Sequence, residues 1–87
     1  MDLREMHYLL EIANTGHMTQ AANNLFISQP ALSKSLRKVE NELGTELFYR
    51  DGNRLLPTDT GRIVIEKSSE ILQLAANMND AVDSTKN

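Results

Sequence analysis

Over most of the chain, apolar residues recur three and four positions apart, the spacing that places them on one face of a helix. Leu3, Met6, Leu10 and Ala13, widened by Leu9, predict a first helix over residues 3–14. Asp2 followed by Glu5 reads as a capping box at its start, and Asn14-Thr15-Gly16 ends it with glycine at the left-handed position. Met18, Ala21, Ala22 and Leu25 predict a short second helix over 18–25, whose two alanines let another helix cross closely. Ser28-Gln29-Pro30 is a strong start for a third helix, with Ser as N-cap and Pro in the first turn. It should run to Leu43, where Gly44 stops it, and Leu32, Leu36, Val39 and Leu43 form one narrow apolar stripe along it.

The helical spacing then lapses. Glu46-Leu47-Phe48-Tyr49-Arg50 and Arg54-Leu55-Leu56 flank Asp51-Gly52-Asn53, the signal of a β-hairpin. An isolated hairpin is marginal, so this one must pack on the helices. Pro57 ends its second strand, and Thr58-Asp59 caps a last and longest helix over 59–82. Val64, Ile71 and Met78 repeat every seven residues along it, with Leu74 and Ala81 between them and Ile63, Ile65, Ala75 and Val82 alongside. The polar tail Asp83-Ser84-Thr85-Lys86-Asn87 is expected to fray. Gly16, Pro30, Gly44, Gly52, Pro57 and Gly61 are the punctuation that cuts the chain into these pieces.

Composition narrows the class. At 87 residues the chain is one small domain, with a modest core that a partner chain would help to complete. It has no cysteine, hence no disulfide, thiolate zinc site or iron–sulfur cluster. No apolar run is long enough to span a membrane, and the N-terminus does not read as a signal peptide, so a cytoplasmic protein is expected. With two Tyr, two Phe and no Trp, base stacking on an aromatic platform is not expected. The net charge of −3 argues, taken alone, against a nucleic-acid partner. The distribution changes that picture. Residues 1–27 and 55–87 are each net negative, whereas 28–54 are net positive, and 28–38 hold Lys34, Arg37 and Lys38 with no acid.

Those cations lie opposite the apolar stripe of the third helix. With Leu32 at 0°, Gln29 falls at about 60°, Ser33 at about 100°, Arg37 at about 140°, Pro30 at about 160°, Lys34 at about 200° and Lys38 at about 240°. Such an arc is more often a plain solvated face. Here it begins at a capped N-terminus, follows a short Ala-rich helix after a brief turn, and precedes a basic hairpin. Three short helices, a hairpin and a long terminal helix predict a mainly α winged helix-turn-helix. In that module the N-terminal residues of the second helix of the turn reach base edges in the DNA major groove. Gln bonds bidentately to adenine, Lys to guanine, and the helix start favours phosphate.

The stretch Ala21-Ala22, Leu25, Ser28-Gln29-Pro30-Ala31-Leu32-Ser33-Lys34, Leu36, Glu40, Leu43-Gly44, Leu47-Phe48, Arg50, Pro57-Thr58 and Gly61 resembles the N-terminal DNA-binding domain of LysR-type transcriptional regulators. The resemblance covers residues 3 to 82. It implies a bacterial regulator that binds double-stranded DNA as a homodimer, or as a tetramer in the full-length protein, with no cofactor in this part. Gln29, Pro30, Ser33 and Lys34 would then face bases. Thr19, Ser28, Arg37 and Lys38 would lie along the backbone, with Arg50 holding phosphate or bracing the wing and Asn53 and Arg54 near the minor groove. Residues 1–58 would be the winged helix-turn-helix and 59–87 the linker helix and tail. The metabolite-sensing domain that follows in the family is expected to be absent here. Two departures stand out. His17 occupies a position where the family often has a small N-cap such as Ser, so neither that cap nor a hydroxyl contact carries over. In the wing, Asp51 flanks a single Arg54, which predicts a weaker minor-groove contribution.

The apolar stripe of the terminal helix exceeds what one small domain uses, so Val64, Ile71, Leu74 and Met78 are expected at a homodimer interface, and a two-fold dimer would read a dyad-symmetric operator. Enzyme chemistry has little footing. His7 and His17 stand ten residues apart without clustered ligands, no Ser has a visible His/Asp constellation, and the glycines form no phosphate loop. Met6, Met18 and Met78 read as packing residues. A helical protein-interaction adaptor is the alternative function. It would want apolar anchors on the arc of the third helix, where the chain has Gln, Ser, Lys and Arg.

Overall fold

A computed structural model describes residues 1–86 and shows four helices and one hairpin in the expected order. Helix α1 (Leu3–Thr15) opens on the complete capping box, in which the Asp2 carboxylate accepts the Glu5 N–H at 2.8 Å and the Glu5 carboxylate accepts the Asp2 N–H at 2.8 Å. Gly16 closes it at φ 74°, a conformation that suits glycine, and its N–H returns to the Ile12 carbonyl. Helix α2 (Met18–Asn24) begins at His17, which supplies no side-chain cap. Helix α3 (Gln29–Leu43) is capped by Ser28, whose hydroxyl oxygen accepts the Ala31 N–H, and ends at Gly44. Strands β1 (Phe48–Asp51) and β2 (Arg54–Pro57) pair antiparallel in the register Phe48–Pro57 to Asp51–Arg54. Helix α4 (Asp59–Asp83) is capped by the Thr58 hydroxyl, which accepts the Gly61 N–H and donates to the Glu46 carbonyl.

The core is the junction of these elements. Leu9 and Ile12 of α1, Ala21 and Ala22 of α2, Leu32 and Val39 of α3, and Leu47 and Phe48 at the entry to β1 are buried together. The alanines of α2 lie in this cluster, as their size requires where helices cross. The inner line of α1 differs from the expected one. It runs along Glu5, Met6, Leu9 and Ile12, so the expected Met6 and Leu9 are buried, while Leu3 is 46% exposed and Leu10 only half-buried. The helix is rotated so that Glu5, a charged residue, faces inward. Leu43 likewise lies beyond the core and is exposed.

Helix α4 packs against α1 with its first half. Gly61 is no break. It is buried inside the helix, so close to the Leu47 backbone that a Cβ would overlap the Leu47 carbonyl. Val64 and Ile65 pack against the domain's own core. Beyond Ser68, which is also buried, the helix extends past the body and gives the chain its 52 Å length against 25 and 20 Å across.

Candidate nucleic-acid interface

The outer face of α3 carries the expected set. Gln29, Pro30, Lys34 and Arg37 are exposed and Ser33 is half-buried. Their positions follow from the stripe on the opposite side, since burying Leu32 and Val39 turns the polar arc outward. The Gln29 amide donates to the Ser33 hydroxyl at 2.7 Å, so these two act as one oriented pair with the Gln29 carbonyl left to accept. Among the described residues neither Lys34 nor Arg37 forms an ion pair, so both cations are available to an incoming polyanion.

Lys38 differs. Its ammonium lies 2.9 Å from the Glu5 carboxylate and 3.2 Å from that of Glu42. Glu5 is 2% exposed, and Lys38 is the cation that neutralises it across 33 residues. The hydrogen bonds to Glu5 and then Glu42 hold Lys38 above its ordinary pKa. Its expected place along the DNA backbone therefore competes with a structural role within the chain. Glu42 also accepts from the N-terminal ammonium at 3.0 Å. That bond first, and Lys38 second, lower its pKa. The Glu5 N–H lowers that of Asp2 in the same way. Glu40 is committed too, its carboxylate accepting the Leu47 N–H at 2.7 Å and tying α3 to the entry of the hairpin.

The hairpin packs through β2 on α1 and α4 and faces α2 and the start of α3 across a cleft. The Leu55 N–H donates to the Gly16 carbonyl at 2.8 Å, and the Thr58 N–H to that of Leu47 at 3.0 Å. The stem of Arg54 lies over Gly16, close enough that a Cβ there would come 2.8 Å from the Arg54 Nε. Arg54 therefore starts from the α1–α2 turn rather than standing free at the hairpin tip. Between hairpin and helices opens a cleft of about 340 Å³ lined by His17, Met18, Thr19, Gln29, Arg50, Asn53 and Leu55. It brings together Thr19, Gln29, Arg50 and Asn53, which come from three separate stretches of sequence, α2, α3 and the hairpin. It also adds His17, which the sequence marks only as a departure from the family's small N-cap. Ser28 stands exposed at the start of α3, its oxygen engaged by the cap. On the other flank of α3 a second groove, of about 310 Å³, is lined among others by Arg4, Tyr8, Ile27 and Lys34, with the Arg4 guanidinium 5.8 Å from the Tyr8 ring centre.

Of the residues expected at a dimer interface, Ile71, Leu74 and Met78 are exposed, Leu74 at 68% and Met78 at 63%. Met78 therefore serves no packing role within the chain. Val64 is partly buried against its own core instead of standing on that face. Ile63 and Val82 extend the exposed apolar face. Among the described residues, no helix is long and apolar enough to cross a membrane, and no three His, Asp or Glu side chains are grouped to hold a metal.

Residues 3–62 match the model of the bacterial regulatory helix-turn-helix proteins of the lysR family. The chain is 42% identical over 73 residues to an uncharacterized HTH-type transcriptional regulator, YcgK of Bacillus subtilis, covering 84% of this chain and 22% of that protein. It is 39% identical over 77 residues to the HTH-type transcriptional regulator XapR of Escherichia coli, covering 88% of this chain and 26% of XapR. The chain thus spans about a quarter of the length of these relatives. The fold superposes on the DNA-binding domain of CbnR, crystallised with DNA, at a TM-score of 0.91 and 29% identity, over 100% of both chains. With the helix-turn-helix, the hairpin and the long terminal helix all in place, the chain belongs to the LysR family of bacterial regulatory helix-turn-helix proteins.

Proposed function

We propose that this chain binds double-stranded DNA sequence-specifically, as the DNA-reading part of a LysR-type transcriptional regulator. Residues 1–58 act as the winged helix-turn-helix and 59–87 as a linker helix that pairs two copies, a segment that ends one residue beyond the described ones. The observation that carries the reading is the outer face of α3. Its N-terminal half presents Gln29, Pro30, Ser33, Lys34 and Arg37 with no acid among them, and the two cations have no partner within the described chain. That face fits the major groove, where Gln29 and Lys34 have the donor and acceptor pattern to read base edges. Ser28, Thr19, Arg37, Arg50 and Lys38 serve the phosphates, and Asn53 with Arg54 the minor groove. The solved domain of CbnR is a complex with DNA, as is that of BenM, which superposes at a TM-score of 0.81 with 30% identity over 99% of this chain and 96% of that one. Both support the reading.

The exposed face of α4 around Ile71, Leu74 and Met78 supports a homodimer, and two-fold symmetry in the protein calls for a dyad-symmetric operator. An adaptor function is disfavoured by the arc of α3, which offers polar and charged groups and no apolar anchors.

The test is fluorescence anisotropy on mixed-sequence and AT-rich palindromic duplexes between about 50 and 200 mM salt. Affinity should fall steeply and linearly on log–log axes as salt rises. Absence of binding at the lowest salt would refute the proposal.

A further inference from the structure

We propose that Ser33 is a positioning residue for sequence reading, which holds the Gln29 side-chain amide in an orientation that accepts adenine and turns guanine away. This rests on the DNA reading above and departs from the direct base contact that the family resemblance gives Ser33. Three observations carry it. First, the Gln29 Nε2 donates to the Ser33 Oγ at 2.7 Å, one helical turn further on, and among the described residues the Gln29 carbonyl has no partner. Second, the two side chains stand at different depths. Gln29 is exposed and Ser33 half-buried, so the amide reaches outward from a hydroxyl set further back. Third, the pair stands on a fixed base. The Ser28 hydroxyl caps the first turn of α3, and Leu32, beside Ser33, is fully buried in the core, so neither end of the pair is free to slip.

A glutamine amide has two N–H donors and one carbonyl acceptor. In the major groove adenine shows the N7 acceptor beside the N6 amino donor, whereas guanine shows the N7 acceptor beside the O6 acceptor. An amide with both N–H groups free can therefore serve either purine, turning one N–H and the carbonyl to adenine or both N–H groups to guanine. Ser33 removes that choice. It takes one N–H, and the N–H and carbonyl that remain match adenine N7 and N6. Against guanine the same carbonyl meets O6, acceptor against acceptor, with no donor between them. Selectivity then comes from the base refused as much as from the base accepted. The bond also forms before DNA arrives, so less side-chain freedom is lost on binding. Lys34, the next residue along, forms no ion pair among the described residues and stays free to bond guanine.

The experiment is anisotropy titration on a duplex that the unaltered chain selects from a randomised pool. Each A·T pair of that duplex is changed in turn to G·C, and the ratio of the two affinities is read. The position read by Gln29 is the one whose ratio collapses in Gln29→Ala. There the unaltered chain should favour A·T roughly tenfold or more. Ser33→Ala keeps the helix, because alanine is the better helix former. It should lose most of that ratio while binding mixed-sequence DNA as before. Ser33→Thr, which retains a hydroxyl, should restore the ratio. Ser33→Ala added to Gln29→Ala should change nothing further. If Ser33→Ala keeps the ratio, or weakens binding equally with and without Gln29, Ser33 does not act through Gln29 and the inference is overturned. It is overturned too if no position depends on Gln29 while the duplex still binds, and the DNA reading then stands. A selection that yields no bound duplex would overturn both.

Discussion

Gly61→Ala is the sharpest perturbation the fold offers, because two physical effects oppose each other there and differ in sign. Gly61 is the third residue of α4, and glycine in a helix costs at most about 1 kcal/mol relative to alanine. Helix propensity alone therefore predicts stabilisation by up to that amount. The structure predicts the reverse. A Cβ at 61 would overlap the Leu47 carbonyl oxygen and come 2.9 Å from its carbon. The obstacle is backbone, not the end of a flexible side chain. It is also pinned, since the Leu47 carbonyl accepts the Thr58 N–H at 3.0 Å and the Leu47 N–H is held by Glu40. Relief requires α4 to retreat from α1 and the hairpin by roughly an ångström, which loosens the contact of Val64 and Ile65 with the core. Overpacking of this kind costs about 3 kcal/mol at the upper end of its usual range. Subtracting the propensity gain leaves a net loss of about 2 kcal/mol. For a domain this small that is a fall in Tm of about 8–16 °C. Thermal unfolding followed by far-UV circular dichroism measures it, with Ser69→Ala on the exposed side of α4 as the propensity control, expected to raise Tm slightly. An unchanged or raised Tm for Gly61→Ala would refute the packing argument.

Three other outcomes follow from the geometry. Asp2 and Glu42 have lowered pKa values, so the stability they contribute is full above their ordinary values of 3.8 and 4.5 and is lost as pH falls through the lower folded ones. Urea midpoints at neutral and at acid pH should therefore converge in an Asp2→Asn, Glu42→Gln double variant. An equal acid loss in that variant would refute the assignment. Leu74→Glu with Met78→Glu should turn a dimer into a monomer in sedimentation equilibrium without loss of helicity, because both side chains are solvent-facing in the single chain. Persistence of the dimer would move the interface elsewhere. Lys34→Ala should weaken a selected operator roughly tenfold to a hundredfold while leaving mixed-sequence DNA little changed. Equal losses on both would make Lys34 a phosphate contact.

What the sequence revealed was local. Asp2 and Glu5, Ser28 and Ala31, and Thr58 and Gly61 are each three apart, so the caps they form obey rules that need no tertiary information. The α3 arc was legible for the same reason, being the complement of a narrow apolar stripe. What escaped was set by distant chain. Glu5 reads as a cap and nothing more until Lys38, 33 residues on, closes over it. The face that α1 buries takes in Glu5 and Ile12 beside the expected Met6 and Leu9 because α2, α3 and α4 meet there, whereas the spacing alone also draws in Leu3 and Leu10. Gly61 reads as punctuation because nothing nearby shows that the Leu47 backbone approaches it. Phe26, in the turn between α2 and α3, sits at φ 59° and is 95% exposed, which its apolar character alone does not suggest. His17 was visible only as a departure from a family pattern. Its neighbours in the cleft come from 33 and more residues away, in the hairpin, and from Gln29.

The way the hairpin is fastened has a consequence for how the domain tolerates change. Two strands of four residues have no core of their own. They are held at their base, by the Leu55 bond to Gly16, the Thr58 bond to Leu47 and the Glu40 bond to the Leu47 amide, while a Cβ at Gly52 at the far end would meet nothing within 4 Å. Amides at the base should thus resist hydrogen exchange as strongly as the helices do, and those at the tip should exchange almost freely. The tip is an interchangeable bit in a fixed chuck. Its sequence is free to drift toward new DNA partners without taxing the fold, while Gly16, wedged beneath Arg54 at φ 74°, is the setting that lets any bit be mounted at all.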